Sequence, residues 1–258
     1  NDDWKEWTLF DGTRVLVPGK FNTTPDEHGD INQYPGGDRT LAPSSKMPNG
    51  GLYFDAIVRQ EPIDDDRLNP SENIAEFGPI PDSELDHFRK KAEHLHTNTD
   101  CAVILPMPGS ALGNVAALPA PWLPAPKGIR DTEEWYISHV IRRDYVFEVY
   151  DRQTDITMEN LERVRQAVGA NVEIIYLSGS DYGTQRGPLF SPDMFRDLYK
   201  PFFARMCGWI HKNTNWKVMI HSCGANRPLM EDIIDAGIDI FNPVQCSAEG
   251  MEPEALKR

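Results

Sequence analysis

The chain lacks the features that direct a protein into or across a membrane. No apolar run reaches about 18 residues, the length that a membrane-spanning helix needs. The first five residues, Asn1-Asp2-Asp3-Trp4-Lys5, have no signal-peptide character. Four cysteines in 258 residues do not suggest a disulfide framework. These absences predict a cytoplasmic protein with reduced thiols and no membrane partner.

A basic surface is also missing. The formal net charge is -14, so the surface repels phosphate backbones and anionic lipids on average. The densest basic run, residues 89–91, lies among Glu84, Asp86 and Glu93, which is typical of a solvated helix face. We therefore expect no nucleic-acid partner.

The first 80 residues predict an irregular, β-rich segment. Glycine and proline recur in it, and its apolar stretches are short. Asp11-Gly12 separates the strand-like residues 8–10 and 13–15, a spacing that predicts a β-hairpin. We interpret residues 1–80 as a segment carried on one domain that spans residues 1–258.

Residues 81–258 predict alternating helices and strands. The predicted strands are 101–105, 172–177, 217–221 and 238–242. The predicted helices are one around 82–95, 132–150, 154–168, one opened by Ser191-Pro192 with a kink at Pro201, 227–235, and one that starts near Pro253. Apolar strands between helices indicate an α/β fold with a mostly parallel sheet. Because the chain stops at a helix start after about four strands, we expect it to lack N- and C-terminal parts of a longer barrel.

Three of the predicted strands end in polar or reactive sequence. The three ends are Ser178-Gly179-Ser180-Asp181-Tyr182-Gly183-Thr184-Gln185, His221-Ser222-Cys223-Gly224 and Asn242-Pro243-Val244-Gln245-Cys246. In parallel α/β folds the ligand site lies at the carboxyl ends of the strands. The coincidence of three such ends predicts an active site there.

The spacing of His221 and Cys223 predicts a metal site at the second of these ends. In extended chain, residues two apart point the same way, so imidazole and thiolate can converge on one ion. A nitrogen and sulfur pair favours zinc over magnesium or calcium. Gly224 lets the backbone turn away. The alternative is a buried thiol beside a hydrogen-bonded histidine.

The other candidate residues follow from their places at the same strand ends. Asp181 is the candidate catalytic acid or base, with an Asx-turn as the alternative. Cys246 is a candidate third metal ligand, although a small apolar role in its loop is the simpler interpretation. Thr184, Gln185, Asn242 and Gln245 are candidate substrate-binding residues. Cys101 and Cys207 are expected in the core.

Four segments resemble the uroporphyrinogen decarboxylase (URO-D) superfamily, and the resemblance extends along essentially the whole chain. They are residues 26–60, Gly183-Thr184-Gln185-Arg186-Gly187-Pro188-Leu189-Phe190-Ser191-Pro192, His221-Ser222-Cys223-Gly224 and Asn242-Pro243-Val244-Gln245. The resemblance implies a (β/α)8 TIM-type barrel with about half of its strands outside this sequence.

The superfamily has two functional branches. Decarboxylases of the haem pathway use no metal and bind a tetrapyrrole through an N-terminal arginine-rich motif, a region that this chain lacks. The other branch resembles corrinoid-linked methyltransferases, which hold zinc with a His-x-Cys pair at this strand end and a later cysteine. His221 and Cys223 match that pair, and Asp181 matches a polar position that faces the pocket. The resemblance implies that the late cysteine would fall beyond Arg258, which leaves the third ligand open, with Cys246 as a candidate substitute.

The resemblance therefore implies a zinc-dependent methyltransferase. It would move a methyl group between a small substrate and the corrinoid (cobalamin) of a partner protein, the small molecule being a methyl donor or a thiol or folate acceptor. A metal-free tetrapyrrole decarboxylase is one alternative. A non-catalytic corrinoid-binding partner is the other.

Overall fold

The structure, a computed structural model, describes residues 4–257 and divides into two compact units. The first unit contains the described part of Asn1–Glu76 together with Val115–Tyr136. The second contains Phe77–Asn114 and the described part of Ile137–Arg258. The first boundary lies close to the change of pattern at residue 81, whereas no sequence pattern indicated that residues 115–136 group with the first unit. Within residues 4–257, no helix is both long and apolar enough to cross a membrane.

The first unit is built from short antiparallel strands. Its elements are β1 (Trp4–Thr8), β2 (Arg14–Pro18), β3 (Ile31–Gln33), β4 (Ser45–Met47), β5 (Asp55–Ala56) and the 3-10 helices Pro35–Gly37 and Pro70–Ile74. β1 and β2 form the predicted hairpin, in which Thr8 lies opposite Arg14. The strand order in the second sheet is β3-β4-β5. The antiparallel pairing of β1 with β2 confirms the predicted hairpin. Gly12 has a φ of 88°, the positive value that the turn needs.

A buried arginine holds the two segments of the first unit together. The Arg130 side chain is 1% exposed, and its guanidinium donates two hydrogen bonds to the Glu76 carboxylate, at 2.8 and 3.0 Å. It also donates to the carbonyl oxygens of Lys127 at 2.7 Å and Glu72 at 2.5 Å. The buried charge is therefore paired and hydrogen-bonded, as a low-dielectric interior requires.

The second unit contains a four-stranded parallel sheet and most of the helices. Its strands are β6 (Ile104–Pro106), β7 (Ile174–Ser178), β8 (Lys217–His221) and β9 (Ile240–Asn242), in the order β6-β7-β8-β9. The helices of the chain are α1 (Asp82–Asn98), α2 (Thr132–Ile141), α3 (Arg143–Val168), α4 (Pro192–Leu198), α5 (Lys200–Asn213), α6 (Arg227–Asp235) and α7 (Pro253–Leu256). The predicted α/β class with a parallel sheet is confirmed.

Two helix boundaries differ from the prediction. The break expected between residues 150 and 154 is instead at Arg142, and α3 continues unbroken to Val168. Residues 151–153 contain no glycine or proline and therefore do not interrupt a helix. The kink expected at Pro201 is a break at Tyr199, which places Pro201 in the first turn of α5. A proline is tolerated there because that position needs no N–H hydrogen bond.

The core of the second unit lies between the sheet and its helices. Ile175 and Ile220 of the strands are fully buried, as are Leu161 of α3 and Phe195 of α4. Each such side chain contributes roughly 1.5–3 kcal/mol through burial of apolar area.

One of the two cysteines expected in the core is in fact exposed. The prediction for Cys207 is confirmed, since this residue is buried on α5. The prediction for Cys101 is wrong, because Cys101 is exposed in the loop between α1 and β6. Exposed and buried residues alternate along β6, so only part of this apolar run lies in the core.

Candidate metal centre at the carboxyl ends of the strands

The register of the parallel sheet brings the three polar strand ends together. β7, β8 and β9 are neighbours, and His221 at the end of β8 is the register partner of Asn242 at the end of β9. Asp181 follows the end of β7 by three residues. All three lie at the carboxyl edge of the sheet, where parallel α/β folds bind ligands.

Asp181, His221 and Cys223 form one cluster of metal-ligating side chains. The Cys223 Sγ lies 3.4 Å from the His221 Nε2, and that nitrogen lies 3.5 Å from the Asp181 Oδ1. The three ligand atoms all lie within 4.8 Å of one another. Asp181 is exposed and the other two are half-buried, so the cluster is open to a ligand from solvent.

Two of the three ligand–ligand separations in the cluster agree with those of a tetrahedral zinc site. Zinc binds nitrogen and oxygen ligands at about 2.0–2.2 Å and sulfur at about 2.3 Å, so two tetrahedral ligands lie roughly 3.3–3.6 Å apart. The two measured separations, 3.4 and 3.5 Å, agree with these values. Three protein ligands with a fourth open position are typical of catalytic zinc. The residues therefore fit a zinc ion.

Hydrogen bonds orient the side chains of the cluster. The Asp181 Oδ1 accepts a 2.7 Å hydrogen bond from the backbone N–H of Cys223, which holds the carboxylate beside the thiol. On the other side of the imidazole, the His221 Nδ1 lies 3.0 Å from the Asn242 Oδ1. Ligand side chains that are fixed by such hydrogen bonds can bind a metal without having to reorient.

Two groups at the cluster, the Cys223 thiol and the Tyr176 phenol, have pKa values above their usual range. Burial, with a smaller contribution from the Asp181 carboxylate, raises the pKa of the Cys223 thiol. The same two causes raise the pKa of the Tyr176 phenol on β7. A bound divalent cation has the opposite effect and stabilises the thiolate. Tyr176 was not identified from the sequence, because this residue is in the middle of β7 and not in the polar segment that follows the strand.

Two loops approach each other so closely that only glycine fits. Gly224 has φ +93°, and a Cβ on it would overlap the backbone of Gly183. A Cβ on Gly183 would in turn lie 2.9 Å from the backbone nitrogen of Ala225. The Ala225 N–H donates to the Thr184 carbonyl at 2.8 Å, which joins the two loops at this point. This approach places Asp181 of one loop against Cys223 of the other.

Two buried polar residues beneath the cluster were not predicted from the sequence. The Ser222 hydroxyl accepts a 2.8 Å hydrogen bond from the backbone N–H of Tyr182, next to Asp181. The Asn226 side-chain amide donates to the carbonyl oxygens of Ser222 and Cys223, at 3.1 and 2.8 Å. Both residues are fully buried, and nothing in their spacing distinguishes them from ordinary loop residues.

The four predicted substrate-binding residues make contacts within and between the loops. The Thr184 hydroxyl donates to the Gly187 carbonyl at 2.9 Å. The Gln245 amide accepts from the N–H of Gly224 at 2.8 Å and donates to the Gln185 side chain at 3.0 Å. With Asn242 against His221, all four residues support the site, and substrate contact remains a prediction.

Cys246 does not join the cluster. It is exposed, and its thiol lies 3.4 Å from the Val244 carbonyl of its own loop. The structure places Asp181 next to His221 and Cys223, where the sequence-based interpretation considered Cys246 as the third ligand. The chain spacing that suggested Cys246 could not show which way its loop turns after Pro243.

A methyltransferase from Methanosarcina mazei has a similar solved structure, at 16% sequence identity and a TM-score of 0.43. The match covers 61% of this chain and 40% of that one, so this chain spans less than half the length of that protein. No curated protein matches the chain.

A family model matches the part of the chain that contains the metal-ligand cluster. The model of uroporphyrinogen decarboxylase (URO-D) matches residues 114–246. This range is just over half of the 258 residues. It includes α2 to α6 and the strands β7 to β9, with all three residues of the cluster. The chain therefore belongs to the uroporphyrinogen decarboxylase family.

Proposed function

We propose that the protein is a zinc-dependent methyltransferase that works with a corrinoid protein and a small methyl donor or a thiol or folate acceptor. The observation that carries the proposal is the convergence of His221, Cys223 and Asp181 at the carboxyl edge of the sheet. Within the URO-D superfamily, the His-x-Cys pair of this chain resembles that of the zinc-using methyltransferase branch. A metal-free decarboxylase has no need of a nitrogen, sulfur and oxygen cluster with zinc-like spacing.

Each residue of the cluster has a distinct role in this proposal. His221 supplies a neutral nitrogen ligand through Nε2, and Cys223 supplies a thiolate. Asp181 supplies an oxygen ligand, and its contact with the Cys223 N–H keeps that oxygen directed at the site. Bound zinc would supply Lewis-acid activation, lowering the pKa of a thiol substrate or polarising a methyl donor. The fourth position remains for the substrate, and the catalytic acid or base role of Asp181 remains a prediction.

Metal analysis of the purified full-length protein tests the proposal. We expect about one zinc per chain in the wild type, and loss of that zinc in Cys223→Ser, which removes the thiolate ligand. The matched control is Cys246→Ser, which changes an exposed thiol outside the cluster and should keep its zinc. A wild-type protein that contains no zinc would overturn the proposal.

A methyl-transfer assay separates the alternatives. Methylcobalamin and a panel of small thiols serve as probes, and the corrinoid absorbance reports demethylation. We expect turnover by wild type and Cys246→Ser but not by Cys223→Ser. Release of carbon dioxide from a uroporphyrinogen by zinc-free protein would instead establish the decarboxylase. Corrinoid binding without either reaction would identify a non-catalytic partner.

A further inference from the structure

A histidine can bind a metal through only the nitrogen that does not carry its proton. Neutral imidazole holds one proton, on either Nδ1 or Nε2, and the hydrogen bonds around the ring decide which. At His221, Nε2 faces the Cys223 Sγ and the Asp181 Oδ1, while Nδ1 faces away from both. The site is ready for a metal only when the proton is on Nδ1.

The neighbouring strand supplies an acceptor at the right place for that proton. Asn242 is the register partner of His221, so the two side chains lie on the same face of adjacent parallel strands. The Asn242 Oδ1 lies 3.0 Å from Nδ1, a normal hydrogen-bond distance. The backbone N–H of Ser222 donates to the Asn242 carbonyl at 2.8 Å, so the strand pairing itself holds the contact in register.

We propose that Asn242 is a positioning residue that keeps the proton of His221 on Nδ1 and leaves Nε2 available to a metal. The identity of the metal in this inference rests on the proposed function. The position of the proton on His221 does not depend on the proposed function. Substrate binding by Asn242 stays a prediction, and the geometry adds a contact with the histidine.

The chain contains a natural comparison on α1. There the Asn98 side chain directs its nitrogen, Nδ2, at the Nδ1 of His94, 3.3 Å away. An amide nitrogen is a donor, so the His94 Nδ1 must accept and its proton belongs on Nε2. The two pairs of asparagine and histidine therefore predict opposite tautomers in the same protein.

Nitrogen-15 NMR of the histidine side chains tests the proposal in metal-free protein. The nitrogen-15 shifts of a neutral imidazole differ between its protonated and unprotonated nitrogens, so the spectra distinguish the two tautomers. A His221→Gln variant identifies the His221 signals. We expect the Nδ1–H form at His221 and the Nε2–H form at His94. In Asn242→Leu, which has a similar size but no acceptor, His221 should lose the Nδ1–H preference. In Asn242→Asp, which retains an acceptor oxygen, His221 should keep that preference.

Zinc affinity provides the second measurement. Loss of a hydrogen bond behind a metal-binding histidine typically weakens binding about 10- to 100-fold, and we expect this for Asn242→Leu with the zinc ion alone as probe. Asn242→Asp should bind zinc nearly as well as wild type. Asn98→Leu is the matched control, because it removes an asparagine beside another histidine and should change neither result at His221.

The outcomes separate this inference from the proposed function. An Nε2–H form at His221 in the wild type, or an unchanged tautomer in Asn242→Leu, overturns the positioning role. Unchanged zinc affinity in a folded Asn242→Leu protein overturns it as well. If the wild type shows the expected tautomer but binds no zinc, the methyltransferase proposal fails and the assignment of Asn242 stands. Asn242→Ala replaces the leucine variant if that variant does not fold.

Discussion

At the scale of single residues, Asp181 both accepts a backbone hydrogen bond and belongs to the metal-ligand cluster. Its Oδ1 accepts the N–H of Cys223 and lies 3.5 Å from the His221 Nε2. The sequence indicated an acid or base, or an Asx-turn, and the structure adds a cross-loop hydrogen bond from Cys223 that neither interpretation included. The structure makes the carboxylate a candidate ligand, because two loops far apart in the chain meet there.

We predict that Asp181→Asn weakens zinc binding while the fold persists. Asparagine retains the oxygen that accepts the Cys223 N–H, but it removes the negative charge that favours a divalent cation. The expected loss is about tenfold or more in zinc affinity, measured by competition with a chelator. Asp193→Asn, an exposed aspartate on α4, is the control and should bind like wild type. Equal affinity in both variants would remove Asp181 from the ligand set.

Single residues also show where sequence interpretation fails. His221 and Cys223 were identifiable because metal chemistry restricts the ligand types and the strand restricts their spacing. Ser222 and Asn226 were not, because any polar residue in a loop can be either solvated or buried. Their full burial depends on tertiary packing and not on local sequence.

At the scale of elements, the site depends on how the β7 and β8 loops meet. The close approach of Gly183 and Gly224 leaves no room for a side chain, and the Gln185–Gln245 contact extends the junction to the β9 loop. The glycines in the sequence indicated turns. The contact between them required the register of β7 with β8.

We predict that Gly224→Ala destabilises the protein and abolishes zinc binding. The alanine adds a strained positive φ, which costs of order 1–3 kcal/mol, and a clash with the backbone of Gly183. The matched control is Gly208→Ala, in the exposed interior of α5 with nothing within 4 Å. It should stabilise the helix by about 0.5–1 kcal/mol. Chemical unfolding and zinc analysis measure both effects, and a stable zinc-binding Gly224→Ala protein would refute the loop contact.

At the scale of the whole molecule, a buried ion pair connects the two segments of the first unit. Arg130 and Glu76 are 1% and 5% exposed, and they join two segments separated by more than fifty residues. A buried pair of this kind adds little net stability compared with apolar residues, but removal of one partner leaves an uncompensated charge.

We predict that Arg130→Met lowers the free energy of unfolding by about 3–5 kcal/mol, because the Glu76 carboxylate stays buried without its partner. The double variant Arg130→Met/Glu76→Met should recover part of this loss. The control is Arg14→Met in the exposed pair with Glu6, 74% and 72% exposed, which should cost less than about 1 kcal/mol. Similar losses for Arg130→Met and Arg14→Met in urea unfolding would contradict the prediction.

The sequence by itself determined the class of the fold and two of the three candidate metal ligands, His221 and Cys223. Helical periodicity, apolar strands and glycine or proline breaks act locally, so they predicted the parallel sheet, the first hairpin and most helices. The strand end at His221 and Cys223 was also local, since two ligands two residues apart need only an extended chain. The four segments from 26–60 to 242–245 indicated the URO-D family, because each can be read from local sequence alone.

Only the tertiary structure decided what completes the site. Asp181 rather than Cys246 lies beside His221 and Cys223, and Asn242 faces the histidine, because strand register and a glycine junction set which loops touch. The pairing of Arg130 with Glu76 and the exposure of Cys101 were likewise decided by distant contacts. Such contacts depend on packing free energies summed over the whole chain, and no short segment carries that information.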